Sequence, residues 1–311
     1  MRLGTARSLR VDRMAWACAA SAVVSVLAAM PAMGRDAAQV ASPASPPPTA
    51  ATPPTAATPT AAVPAAAPTD VFDYGRFGAV SVYRGHGEPR DVVLFLSGDG
   101  GWNLGVISMA KKLVDKGAMV AGIDIRHYLA QLEAAPDQCV SPATDLEKLS
   151  HVLQSKIGMK SDLQPTLVGY SSGATLVYAT MGEAADGIFK GALSLGFCPD
   201  LDLKKPVCKG SGIEATPRRD SKGVLKGVNF LAVKKLAGQW ISLQGETDQV
   251  CPAPATQQFI ATVPGGEIVM LPKVGHGYSV ERNWVPQYEA AYAKITGDQS
   301  VTKTPTPKAT Q

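Results

Sequence analysis

Residues 165–178, PTLVGYSSGATLVY, constrain this chain more than any other stretch. An apolar run stops at Gly169-Tyr170-Ser171-Ser172-Gly173, and residues 174–185, ATLVYATMGEAA, are helix-compatible. The pattern predicts a strand, a sharp turn and a helix, with Ser171 on the turn. Glycines on both sides permit a strained backbone that lifts the serine hydroxyl above a sheet edge, the geometry of a nucleophile elbow. Serine is a weak nucleophile unaided, so the pentapeptide acquires meaning only if other loops bring a base, an acid and an oxyanion site to it.

The two ends of the chain read differently from its middle. Arg2, Arg7, Arg10 and Arg13 flank or precede an apolar run over residues 14–30, and small residues follow at Ala32 and Gly34. Residues 1–34 are therefore expected to be a secretory signal removed near Gly34 or Arg35, the alternative being a retained N-terminal membrane anchor. Cys18 lies inside the apolar run without a lipobox. Residues 35–70 are almost wholly Ala, Pro, Thr and Ser, which offer no large apolar group to bury, and should form an extended tether. Residues 298–311 are expected to be a similar tail. Between them, residues 71–297 are long enough for one α/β domain with a substantial core.

Charge and cysteine usage narrow the class. Without the first 34 residues the chain carries 26 Lys/Arg against 25 Asp/Glu, which argues against nucleic acid as a partner. Cys139, Cys198, Cys208 and Cys251 stand outside CxxC pairs. In an exported protein their even number favours two disulfides over a metal site, with three connectivities open.

Within the domain, strand-like and helical runs alternate. Strands are expected over 77–83, 91–96, 118–123, the run into Ser171, 189–195, 240–244 and 267–271. Helices are expected over 104–116, 142–157, 174–185, 254–263 and 285–295. An irregular Cys-bearing loop precedes residue 142. Residues 196–235, charged and rich in Gly and Pro, break the rhythm as a small cap or long excursion. The order predicts a mainly parallel, doubly wound sheet of about six to eight strands.

Loops after parallel strands gather at the carboxyl edge of the sheet, where ligands bind. Four such loops carry unusual residues. Ser97-Gly98-Asp99-Gly100-Gly101-Trp102 offers backbone N–H groups, so the N–H of Asp99, or of a neighbouring glycine, is expected to join that of Ser172 in an oxyanion hole. A dinucleotide site, with Asp124 as the ribose acid, is the rival, and Asn103 at the sixth position of G-x-G-x-x-G speaks against it. Ser171 is the candidate nucleophile. Asp248, preferred to Glu246, is the candidate acid that would orient a histidine. His276 is the candidate base: it alone follows the last strand, between glycines, whereas His86 precedes the core sheet, His127 lies in a polar loop and His151 on a helix face. The chain order Ser171, Asp248, His276 is that of α/β-hydrolases, and the chemistry calls for no cofactor and no metal.

SGDGGWN, GIDIRHYL, GYSSGATLVYA, LSLGFCPDLDL, QGETDQVCP and LPKVGHGYSV together resemble the bacterial virulence-protein family named for AcvB and VirJ, over residues 71–292. The resemblance implies an α/β-hydrolase fold and an exported, periplasmic serine hydrolase with Ser171, Asp248 and His276 as nucleophile, acid and base. It also implies aminoacyl-phosphatidylglycerol, especially the lysyl form, as substrate class, and hence association with the membrane surface. Asp99 and Glu246 are the carboxylates positioned to take a lysyl ammonium. A periplasmic adaptor that keeps the fold only for binding, and a generic carboxylesterase or thioesterase, are the alternatives.

Overall fold

A computed structural model describes residues 67–298. The expected leader, most of the tether and nearly all of the tail lie outside the described residues. Eight strands form one sheet in the order β1-β2-β4-β3-β5-β6-β10-β11: β1 Asp70–Tyr74, β2 Gly78–Tyr83, β3 Asp91–Leu96, β4 Ala118–Ile123, β5 Thr166–Tyr170, β6 Gly191–Leu195, β10 Gln239–Gly245 and β11 Gly266–Leu271. Strand β2 runs antiparallel to both β1 and β4, and every pairing from β4 to β11 is parallel. The chain has the α/β-hydrolase fold.

The central strands are buried on both faces, which is why β3 after its first residue, Asp91 (VVLFL), and β4 (AMVAGI) read as unbroken apolar runs. Alternate residues of β3 serve opposite layers. Val92, Leu94 and Leu96 join a core with α2 (Ile125–Ala134), α3 (Pro142–Lys156), α4 (Ser172–Glu183) and α5 (Ala253–Ile260). Val93 and Phe95 join the core beneath α1 (Leu104–Asp115) and α6 (Val285–Thr296). Helix α4 is buried from Gly173 to Glu183, so its apolar residues show no single face.

Two features differ from expectation. Strand β1 precedes the first expected strand, and a 3₁₀ turn over Gly75–Phe77 separates it from β2. The segment expected to be an irregular loop contains helix α2, with Ile125, Tyr128, Leu129 and Leu132 buried along one face, so His127 is on a helix. Asp124 caps that helix: its carboxylate accepts from the Arg126 N–H at 2.9 Å and pairs with the Arg126 guanidinium at 2.8 Å, which holds its pKa below the usual carboxylate value. The acid weighed as a ribose ligand is thus committed to a local turn.

The excursion at 196–235 is an antiparallel three-stranded sheet in the order β7-β9-β8, from β7 Asp200–Leu201, β8 Ala215–Arg219 and β9 Leu225–Phe230. It packs along α4: the Tyr178 hydroxyl donates to the Leu231 carbonyl, and the Ser211 N–H donates to the Glu183 carbonyl. Disulfides join Cys139 to Cys208 and Cys198 to Cys251, one of the three open connectivities.

Candidate active site

Strand β5 ends at Tyr170 and helix α4 starts at Ser172, leaving Ser171 alone on the turn with φ 54° and ψ −122°. Few non-glycine residues adopt positive φ, and such strain clusters at functional sites. The turn is held by its surroundings. A Cβ on Gly173 would lie 2.3 Å from the Leu96 carbonyl oxygen and 2.4 Å from that of Ser97, so α4 starts hard against the end of β3. The Ser171 N–H donates to the Leu195 carbonyl at 2.9 Å, tying the elbow to β6.

Asp248 and His276 reach Ser171 from the ends of β10 and β11. Ser171 Oγ lies 2.9 Å from His276 Nε2, and His276 Nδ1 lies 2.8 Å from Asp248 Oδ2. The Asp248 side chain is fully buried. Its Oδ1 accepts from the N–H groups of Val250 (2.9 Å) and Cys251 (2.8 Å), and its Oδ2 accepts from the Gln244 amide at 3.2 Å as well as facing His276. Such donors compensate a carboxylate for losing water. Two further groups fix the imidazole. The Tyr170 hydroxyl donates to the His276 carbonyl at 2.9 Å and its ring lies 5.6 Å from the imidazole. Burial, aided by Asp248 and Asp99, raises the Tyr170 pKa, so this donor keeps its proton. Gly196, which opens the loop after β6, abuts the ring, for a Cβ there would lie 3.1 Å from His276 Cε1.

The Gly-rich loop after β3 lies against the elbow, for a Cβ on Gly98 would stand 3.0 Å from the Ser171 Cβ. Asp99 is exposed, and its carboxylate accepts from the Ser172 hydroxyl at 2.5 Å. The Ser172 N–H is one of the first-turn donors that α4 leaves without an intrahelical partner. Trp102 anchors the loop by donating its indole N–H to the Tyr83 hydroxyl at 3.1 Å. Glu246 is exposed near the end of β10, and no hydrogen bond or ion pair joins its side chain to Ser171, His276 or Asp248. The loops expected to meet at the carboxyl edge do so, and the arrangement can pass a proton from serine to imidazole beside the Ser172 N–H.

Gln244, Tyr170 and the Cys198–Cys251 disulfide were not singled out from the sequence, yet each holds a part of the site. Tyr170 occupies the variable position of the elbow and was open to notice. Gln244 had no such signal, being one polar residue inside a buried strand, where its amide also donates to the Cys251 carbonyl at 2.7 Å.

Residues 90–192 match the bacterial virulence protein (VirJ) family. The VirJ match runs from the residue before β3 into β6, so it includes the Gly-rich loop and Ser171, and Asp248 and His276 lie beyond it. Among solved structures, esterase 2 of Thermogutta terrifontis, phosphonylated by cyclosarin, is 15% identical with a TM-score of 0.50, covering 73% of this chain and 93% of that one. An α/β serine hydrolase homologue from Coxiella burnetii is 16% identical with a TM-score of 0.48, covering 76% of this chain and 99% of that one. No curated protein matches the sequence.

Proposed function

We propose that this protein is an exported serine ester hydrolase. The observation that carries the proposal is the unbroken hydrogen-bonded line from Ser171 Oγ through His276 to a buried, saturated Asp248. In that arrangement His276 Nε2 takes the Ser171 proton as Oγ attacks the acyl carbon, and Asp248 holds the tautomer and stabilises the imidazolium. The N–H groups of Ser172 and Asp99 stabilise the oxyanion. The imidazolium then protonates the departing alcohol, and water, activated by the same histidine, releases the acyl group from Ser171. Two disulfides and the likeness to a virulence family support an exported, periplasmic location.

The substrate class that fits is an aminoacyl ester of phosphatidylglycerol, and the lysyl form in particular. The resemblance to AcvB and VirJ suggests it, and the exposed carboxylate of Asp99, the residue whose N–H is one of the two oxyanion donors, suits a lysyl ammonium. Glu246 is a second exposed carboxylate on the same edge. Cleavage would return a cationic lipid to its anionic form and alter membrane surface charge. The full chain, given lysyl-phosphatidylglycerol in mixed micelles, is expected to release lysine, and Ser171→Ala to release none. Turnover of a short p-nitrophenyl ester without lysine release would replace this substrate by a general carboxylic ester. Turnover of neither would leave a binding protein.

A further inference from the structure

Residues 196–235 hold nine Lys/Arg against four Asp/Glu, a net charge of +5 in a chain whose total is +4. The rest of the chain is therefore at −1, and the accessory sheet is where positive charge collects. Ion pairs engage part of it. Lys204 lies 3.7 Å from Glu133, Lys209 3.1 Å from Glu214, and Lys226 3.4 Å from Asp220. Arg218 reaches Asp200 and Asp202, and Lys235 reaches Asp186. Lys205, Arg219, Lys222 and Lys234 have no acidic partner among the described residues, and Lys222 and Lys234 are exposed.

The turn between β8 and β9 is built to present an apolar residue. Val224, which closes the turn opposite Asp220 just before β9, is 53% exposed. The Asp220 carboxylate accepts from the N–H groups of Lys222 and Val224, both at 2.9 Å, and the Asp220 N–H donates to the Val224 carbonyl. The Gly223 N–H donates to the Asp220 carbonyl, and the Arg219 guanidinium donates to the Gly223 carbonyl at 2.9 Å. Backbone groups that lack partners are costly outside water. Here both backbone groups of Val224 are satisfied within the turn, so Val224 can leave water without stranding them. Leu231, just past the far end of β9, is 43% exposed. An open cavity of about 430 Å³ on the same sheet is lined by Val207, Ile213, Val228 and Phe230, with Lys204 and Lys209 among its walls.

An acidic protein would satisfy the charge alone. A hydrogen-bonded turn carrying an exposed valine among cations suits the headgroup region of an anionic bilayer better, because that region offers phosphates and apolar depth together. We propose that the β8–β9 face docks this protein on an anionic phospholipid bilayer, with Val224 entering the boundary between headgroups and acyl chains and Arg219 and Lys222 meeting phosphates. Docking through this face does not depend on ester hydrolysis.

Amide hydrogen exchange of the full chain tests it, because the signal is local and separates this face from any binding by residues 1–34. With vesicles of phosphatidylglycerol and phosphatidylethanolamine, amides of residues 219–226 are expected to exchange at least about fivefold more slowly. Pure phosphatidylcholine, or salt near 0.5 M, should remove that protection. Replacing Arg219 and Lys222 together by Gln should weaken docking about 25-fold, at about fivefold per cation. Val224→Asp should remove the protection, and both variants, altered only at the surface, should keep the parent's unfolding midpoint and its rate on a water-soluble ester. Vesicle capture with exchange at 219–226 unchanged would overturn the proposal by placing binding elsewhere. Protection by an acidic polypeptide but not by vesicles would overturn it in favour of a protein partner.

Discussion

Ser171 is held at φ 54° by contacts that belong to its neighbours: Gly173 against the carbonyl oxygens of Leu96 and Ser97, and the Ser171 N–H on Leu195. Strain of this kind costs about 1–3 kcal/mol and persists only where the surrounding structure dictates it. A glycine adopts positive φ freely. Ser171→Gly is therefore expected to raise stability by about 1 kcal/mol in urea unfolding while abolishing ester hydrolysis. Ser171→Ala keeps the strain, and should abolish hydrolysis without that gain. A loss of stability in the glycine variant would show that the elbow is not strained. Gly173→Ala should do the opposite of Ser171→Gly, costing about 3 kcal/mol or more, because its Cβ meets backbone that cannot move aside.

The two disulfides brace different elements. Cys139–Cys208 ties the segment between α2 and α3 to the accessory sheet across 69 residues. Cys198–Cys251 joins the loop beside His276 to the loop that carries Asp248, and the Cys251 N–H is itself a donor to Asp248. Loop entropy gives each about 4 kcal/mol of stability. Their effects on turnover should differ: Cys198→Ala with Cys251→Ala is expected to lower kcat at least tenfold on a soluble ester, and Cys139→Ala with Cys208→Ala to leave it within about twofold, measured where each remains folded. Equal losses would deny Cys198–Cys251 a positioning role. At this scale the sequence was most legible where periodicity was strong. β3 past Asp91, β4 and α1 stood out because each is wholly apolar or clearly one-sided. Ser171, Asp248 and His276 could be brought together on paper because each follows a parallel strand, whose ends share one edge. Strand β1 was hidden because DVFDY at the sheet margin is mostly exposed or half-buried and follows a Pro-rich run. The accessory sheet was hidden because β8, ATPRR, is exposed along nearly its whole length and takes its form from pairing with β9.

Across the molecule, Glu183 stands where the main sheet's helices and the accessory sheet meet. Its carboxylate accepts from the Ala143 N–H at 2.9 Å at the start of α3, and its carbonyl accepts from the Ser211 N–H. Burial pushes its pKa from 4.5 up to about 7, against the pull of its hydrogen bonds from Ser141 and Ala143. A carboxyl that holds its proton more tightly folded than unfolded stabilises the fold below pH 4.5, and this contribution is lost as pH rises through 7. Stability should thus fall by about 3 kcal/mol between pH 4.5 and 7.5 from this group, and Glu183→Gln should flatten that slope in urea unfolding. An unchanged slope would mean that Glu183 is charged at little cost. The same helix that ends at Glu183 begins just after Ser171, and hydrolysis rests on that serine. A fluorophosphonate reacts only with a serine that a base has activated and an oxyanion site accepts. Incubated with the full chain and mapped by peptide mass, it is predicted to add once, at Ser171, and to add nothing to His276→Ala; an unlabelled Ser171, or a label on Ser172 or Ser97 instead, would contradict the account.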